Sequence, residues 1–312
     1  MAPPSLLEAL VSVAQLSEST PDIYVNEGPL IQQPIGDGAF GGSVIGQAVS
    51  AASSTVSSDF DLYASQSSFL RPVKAKQEVT YHVERITDGR TYCTRVVRVT
   101  QGGGPCRFVS IMAFQRRPRA VVVGTHKSSP TFADPMPDMR GLVPYDLPKQ
   151  GFEQMQFQIG EEEKLSQLGV KAEDPFDWRL LPFKSGSDPS QARVYGYVRA
   201  NTTIPLTLSS AANAASLALL SDQSLFELSV FANWESVPEE WRRLAMTVSL
   251  NSRISFHVPT ARVDEWMVCE SGVSWGANGR ISADQRFWSH ATGELLMSCT
   301  QDAVVSRSGA ML

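Results

Sequence analysis

Long apolar runs are missing from this chain of 312 residues. No stretch approaches the ~18 apolar residues that a bilayer-spanning helix requires, so no membrane span is expected. Cysteine is scarce and scattered. Cys93, Cys106, Cys269 and Cys299 form no Cys-x-x-Cys pair, so neither a zinc site nor a disulfide framework is indicated. Four free thiols fit a reducing compartment. Excess positive charge is lacking too, since the formal net charge is -5. Nucleic acid is therefore not expected as a partner, because phosphate binding needs clustered cations. The small basic clusters Arg71-Lys74-Lys76 and Arg116-Arg117-Arg119 read as solvated faces. A Gly-x-Ser-x-Gly elbow and a Gly-x-x-x-x-Gly-Lys phosphate loop are both absent. The histidines, His82, His126, His257 and His290, lie near no Ser or Cys nucleophile motif. Metal ligands at sensible spacing are not found, and neither metal nor cofactor is expected. The start, Met-Ala-Pro-Pro-Ser, has no charged segment leading into an apolar one, so secretion is not expected. The expectation is an intracellular protein, cytoplasmic or peroxisomal. The ending Ala310-Met311-Leu312 is an imperfect peroxisomal signal, with Met where a basic residue belongs.

Apolar residues make up 42% of the chain and charged residues 19%, enough apolar content for a substantial core and too little charge for extensive disorder. The length suits two ordinary domains or one large one. Val44 to Val56 reads as a helix, with residues 44, 45, 48, 49, 52 and 56 on one face. Gly41 and Gly42 loosen the backbone just before it. Strand-like runs follow at Gln77–Ile86, Thr91–Thr100 and Phe108–Gln115, punctuated by Asp88-Gly89 and Gly102-Gly103-Gly104. The second half repeats the order. An apolar helix spans Ser209–Phe226, and strands are expected at Met246–Val258, Trp266–Trp275, Arg280–Ser289 and Leu295–Val305. Phe69-Leu-Arg-Pro72 can be laid on Phe256-His-Val-Pro259, Gly89-Arg90 on Gly279-Arg280, and Phe114-Gln115 on Thr300-Gln301. This is the signature of an internal duplication. It divides the chain into residues 1–118, a Pro- and acid-rich linker over 119–187 with little regular structure, and residues 188–312. Phe176, Trp178 and Phe183 mark a linker end that packs down.

Asp222 lies in the second apolar helix. That helix is apolar nearly all round, which marks it as buried in a core. A carboxylate there is costly unless polar groups from elsewhere meet it. Ser249 and Gln301, each in a later strand, are the candidates. A buried acid with a hydroxyl and an amide can hold and activate a water molecule.

One helix followed by a curled antiparallel sheet is the outline of a hot-dog domain, and two such units make an α+β double hot dog. The run Phe40-Gly-Gly-Ser-Val-Ile-Gly-Gln-Ala-Val49 resembles the acyl-CoA thioesterase II family. So do Ser67-Ser-Phe-Leu-Arg-Pro72, Leu219-Leu-Ser-Asp222, Ser249 to Pro259 and Ser298-Cys-Thr-Gln-Asp302. The resemblance implies a double hot-dog enzyme that hydrolyses an acyl-CoA, or an acyl thioester on a carrier, to free acid and thiol. The family's catalytic Asp, Ser or Thr, and Gln fall by motif on Asp222, Ser249 and Gln301. Asn251-Ser252 replaces a common Asp-His, and Gln66 replaces a common His, so titratable groups are lost at both places. Gly41, Gly42 and Gln66 are expected to bind substrate or the oxyanion; backbone N–H groups at a helix N-terminus suit that task. One alternative is a hot-dog hydratase or dehydratase of an enoyl thioester, which would pair an Asp with a His that does not follow Asp222 here. Another is an acyl-thioester-binding protein without catalysis. A homo-oligomer is expected from the way hot-dog sheets associate.

Overall fold

The computed structural model describes residues 4–33, 36–117, 135–139, 142–149, 158–159, 167, 170, 173–181, 193–202, 206–223 and 245–307. In chain order the first half holds α1 (Leu6–Val11), β1 (Val13–Ser17), β2 (Thr20–Asn26), β3 (Ile31–Gln32), α2 (Gly41–Ser53), β4 (Phe60–Phe69), β5 (Thr80–Asp88), β6 (Tyr92–Thr100) and β7 (Phe108–Arg116). A short 3-10 turn (Pro144–Asp146) and β8 (Gln158–Ile159) follow. The rest is β9 (Phe176–Leu180), β10 (Arg193–Ala200), α3 (Ser210–Leu220), β11 (Ala245–Phe256), β12 (Met267–Ala277), β13 (Arg280–Ser289) and β14 (Leu295–Arg307).

Twelve strands form one antiparallel sheet in the order β1-β2-β5-β6-β7-β4-β11-β14-β13-β12-β10-β9. The order reads the same from either edge once the halves are exchanged. β4 and β11 meet at the centre, so each half covers the inner edge of the other. α2 and α3 lie side by side on one face of this sheet. They run antiparallel, with Gly42 against Leu219 and Gly46 against Ala215. Val44, Ile45, Ala48, Val49, Ala51 and Ala52 of α2 are buried, as are Ala215, Leu217, Ala218, Leu219 and Leu220 of α3. Both helices are apolar on several sides because each is covered by the sheet and by the other helix. This is the expected double hot dog.

The strands alternate as a sheet with one covered face should. Along β6, Cys93, Arg95, Val97 and Val99 point inward and are buried. The hairpins fall where the glycines place them. Asn278 and Gly279, both at positive φ, turn β12 into β13.

Four features differ from the sequence expectation. α2 starts at Gly41, so Gly41 and Gly42 form its first turn rather than its approach. β4 is a strand that composition hides, because Ser65-Gln-Ser-Ser68 has little β-propensity; its partners on both sides hold it. The supposed linker contains β9, which pairs with β10 and buries Phe176 and Trp178 completely. Met136 and Met139 pack on the outer face of the second half beside Tyr197, Val268 and Trp288. Phe183 lies outside the described residues. Finally, one match between the halves slips. Matching β-bulges align Leu62 with Ser249, and the strand pairing then makes Met112, not Gln115, the first-half equivalent of Gln301.

Candidate active site

α3 ends at Leu220, and Asp222 stands in the turn beyond it. The expected helix to Phe226 is therefore too long in its described part; residues 224–226 lie outside the described residues. The turn changes the electrostatics. A carboxylate at the C-terminal end of its own helix faces the negative pole of that helix. Because α2 runs antiparallel, its positive N-terminal end meets the same carboxylate. The Gly42 N–H donates to it.

Gly41 makes the approach possible. A Cβ at this position would lie 2.6 Å from Asp222 Oδ2 and 3.0 Å from the Phe69 ring. Any larger residue would push the carboxylate or the ring away. Gly42 is equally tight against α3, since its Cβ would fall 2.5 Å from the Leu219 carbonyl oxygen. The N–H of Gly41 has no hydrogen-bond partner among the described residues.

Ser249 reaches the site through a bulge. Ser252, Ile254 and Phe256 point inward along β11, and strict alternation would turn Ser249 outward. The register shift between Ser249 and Asn251 inserts Leu250 as an extra residue and brings Ser249 back to the inner face. Its Oγ donates to Asp222 Oδ1 at 3.5 Å. Gln301 enters from β14, where it pairs with Ser252. Its amide Nε2 donates to Ser249 Oγ at 2.6 Å and also to Asp222 Oδ1. The other end of that amide, Oε1, is buried with no partner among the described residues.

Asp222 is 6% exposed and Gln301 1%. Burial raises the Asp222 pKa above the ordinary carboxylate value, opposed by the hydrogen bonds from Gln301, Gly42 and Ser249. Next to the site, Gln223 accepts a hydrogen bond from Trp178 Nε1 at 3.2 Å, which ties the turn carrying Asp222 to β9. Sequence reading missed this tie; the one clue was the aromatic pair Phe176 and Trp178.

Asp222, Ser249, Gln301, Gly41 and Gly42 thus come together. Gln66 does not join them. It lies between the inward-facing Ser65 and Ser67 on β4, so the strand turns it to the opposite, exposed face, opposite Arg253. In the first half, the positions matching Ser249 and Gln301 are Leu62 and Met112, both buried and apolar. The duplication therefore carries this polar constellation on one side only. Among the described residues, no group of His, Cys, Asp and Glu is placed to hold a metal ion. No helix among them is long and apolar enough to cross a membrane.

The model of the acyl-CoA thioesterase N-terminal domain matches residues 30–115, and that of the acyl-CoA thioesterase C-terminal domain matches residues 146–305. The chain belongs to the acyl-CoA thioesterase family. Human (Homo sapiens) acyl-coenzyme A thioesterase 8 is 26% identical over 273 residues, covering 85% of this chain and 80% of its own length. Among solved structures, the acyl-CoA thioesterase II TesB2 of Mycobacterium marinum superposes with a TM-score of 0.72 at 20% identity, covering 98% of this chain and 100% of its own. The tesB protein of Mycobacterium avium subs paratuberculosis gives a TM-score of 0.70 at 19% identity, covering 96% and 98%. These two likenesses speak for the fold.

Proposed function

We propose that this protein is an acyl-CoA thioesterase whose reaction runs at Asp222, Ser249 and Gln301. One observation carries the assignment of residues: a single amide, Gln301, bonds both Asp222 and Ser249 while its own Oε1 stays buried and open. An unpaired buried acceptor costs about 1–3 kcal/mol, and a water O–H would satisfy it. That water would lie beside the Asp222 carboxylate.

The steps follow from these positions. Water attacks the thioester carbonyl carbon while Asp222 takes its proton. The carbonyl electrons move to oxygen, and the Gly41 N–H at the head of α2 receives the developing negative charge. The tetrahedral intermediate collapses, the C–S bond breaks, and the thiolate leaves with the proton held by Asp222. Free acid and CoA result. Ser249 and Gln301 keep the carboxylate and the water in line, which is a positioning task. No covalent enzyme intermediate is needed. Gly42 has a different duty from the one expected, because its N–H is given to Asp222. The chain is read as two hot-dog units, 1–118 and 188–312, joined by 119–187, and as a homo-oligomer in solution.

A hydratase would need a histidine facing the acid. Among the described residues, His82 bonds Thr100, His257 bonds Ser298, and His290 packs on Tyr197, so none serves Asp222. Residue 126 lies outside the described residues. The assay is thiol release from a panel of acyl-CoAs with products identified by mass. Hydrated or dehydrated thioester without free thiol would overturn the hydrolase reading.

A further inference from the structure

The inner face beside Gln301 continues as a row of hydroxyls. Register carries it across the centre of the sheet: Gln301 pairs with Ser252, Ser252 with Ser67, and Ser67 with Ser110. Adjacent strands lie about 4.8 Å apart, so the row spans roughly 14 Å from amide to last hydroxyl. All four residues are inward and at most 4% exposed. One inward step further along β4 lies Ser65, between Ile254 and Met112. It is 0% exposed and its Oγ has no partner among the described residues.

Elsewhere this face is mostly apolar, as at Val97, Val99, Phe108, Met112, Ile254 and Met297, and its other polar side chains have partners, Arg95 on Thr55 and Gln285 on Ser271. The hydroxyls therefore mark one lane. Ser67 and Ser110 satisfy each other at 3.0 Å. Ser65 and the Oε1 of Gln301 remain unpaired, one at each side of the lane, and each such group carries a desolvation penalty until something polar arrives.

We propose that this lane takes the acyl chain, and that the substrate is an acyl thioester bearing hydroxyl or keto oxygens along its chain. The inference rests on the hydrolase reading above and names its substrate class. A saturated chain laid over the lane would leave the Ser65 hydroxyl and the Gln301 Oε1 without a partner. An oxygenated chain pairs with them, and a serine hydroxyl can donate to a keto group or accept from a hydroxyl. A site built to hydrogen-bond a substrate oxygen rejects the analogue lacking it more strongly than an apolar pocket rejects an added hydroxyl.

The test compares chain-length-matched acyl-CoAs: saturated, β-hydroxy and δ-hydroxy. The wild-type kcat/KM is expected to favour a hydroxylated chain by about tenfold or more, the worth of one or two hydrogen bonds. Ser65→Ala and Ser252→Ala should each shrink that ratio several-fold, losing rate on the hydroxylated chain and gaining it on the saturated one. Equal wild-type rates on the three chains, or variants that change all substrates alike, would overturn the proposal. The same chains as non-hydrolysable thioethers of CoA separate the two claims. Selective binding of the hydroxylated thioether without turnover of any thioester would sink the hydrolase reading and keep the lane. Equal affinities would sink the lane whatever the turnover.

Discussion

Gly41→Ala adds one methyl group and tests the site more sharply than removing a reactive side chain. The added Cβ would fall 2.6 Å from Asp222 Oδ2, against an ordinary contact of about 3.4 Å. Something must move by about 0.8 Å. The Phe69 ring stands 3.0 Å away on the other side, so the methyl group cannot simply lean aside. Gly41 is not at positive φ, so alanine suits the backbone and the effect is purely steric. Overpacking of this kind typically costs about 1–3 kcal/mol, and better helix propensity returns up to about 1 kcal/mol. The fold should therefore survive, with a modest fall in Tm. Catalysis is less forgiving, because an error of about 1 Å in a reacting group costs roughly 100-fold. The expected result is a kcat/KM about 100-fold lower by thiol-release assay, in a protein with unchanged circular dichroism. Gly46→Ala is the control. Its Cβ would press 2.9 Å from the Ala215 carbonyl oxygen, away from the carboxylate. It should lower Tm while leaving kcat/KM within a few-fold. A Gly41→Ala enzyme with near wild-type kcat/KM would refute the claim that the placement of this carboxylate governs the reaction.

Asp222→Asn keeps the shape and removes the base; kcat should drop by about 100- to 10,000-fold. Its Tm should hold or rise at neutral pH, since a buried charge is removed. The pH dependence has a definite sign. The Asp222 pKa is raised in the folded state, so the carboxylate is protonated, and the enzyme inactive, up to a higher pH than an ordinary Asp would set. The acid limb of kcat against pH should lie above 3.8, the ordinary value, and vanish in Asp222→Asn. In stability terms, the folded state binds this proton more tightly than the unfolded chain. Asp222 therefore weakens the fold as pH rises from 3.8 through its raised pKa, and a wild-type minus Asp222→Asn comparison of Tm across that window should show it. Deleting Leu250 removes the extra residue and leaves Ser249 opposite Ala303, still facing inward, so this variant should keep kcat within a few-fold of wild type while Ser249→Ala does not; a deletion variant as impaired as Ser249→Ala would refute the register argument. Trp178→Phe keeps the buried ring and deletes the donor to Gln223, and it should lower kcat several-fold with little change in KM.

Much of the architecture was legible in local signals. Strand-like runs marked β5, β6 and β7, Gly102-Gly103-Gly104 marked a hairpin, and the repeated order of helix and strands revealed the duplication. The apolar surroundings of Asp222 singled it out, because a carboxylate in such a stretch needs partners. β4 escaped, because a run of serines has no intrinsic strand preference and is held by neighbours about 40 to 190 positions away in the chain. β9 escaped because it is a short edge strand inside a segment rich in turn formers.

The distribution of apolar and polar residues along the chain dictated that two helix-and-strand units form, and that Asp222 would be buried. Convergence was settled only in three dimensions. Antiparallel packing of α2 on α3 sets the positive end of one helix, through Gly41 and Gly42, against a carboxylate at the negative end of the other. A bulge of one residue decides that Ser249 faces inward, and a period of two decides that Gln66 faces away. Such choices depend on register between distant strands, a long-range property that no local window of residues contains.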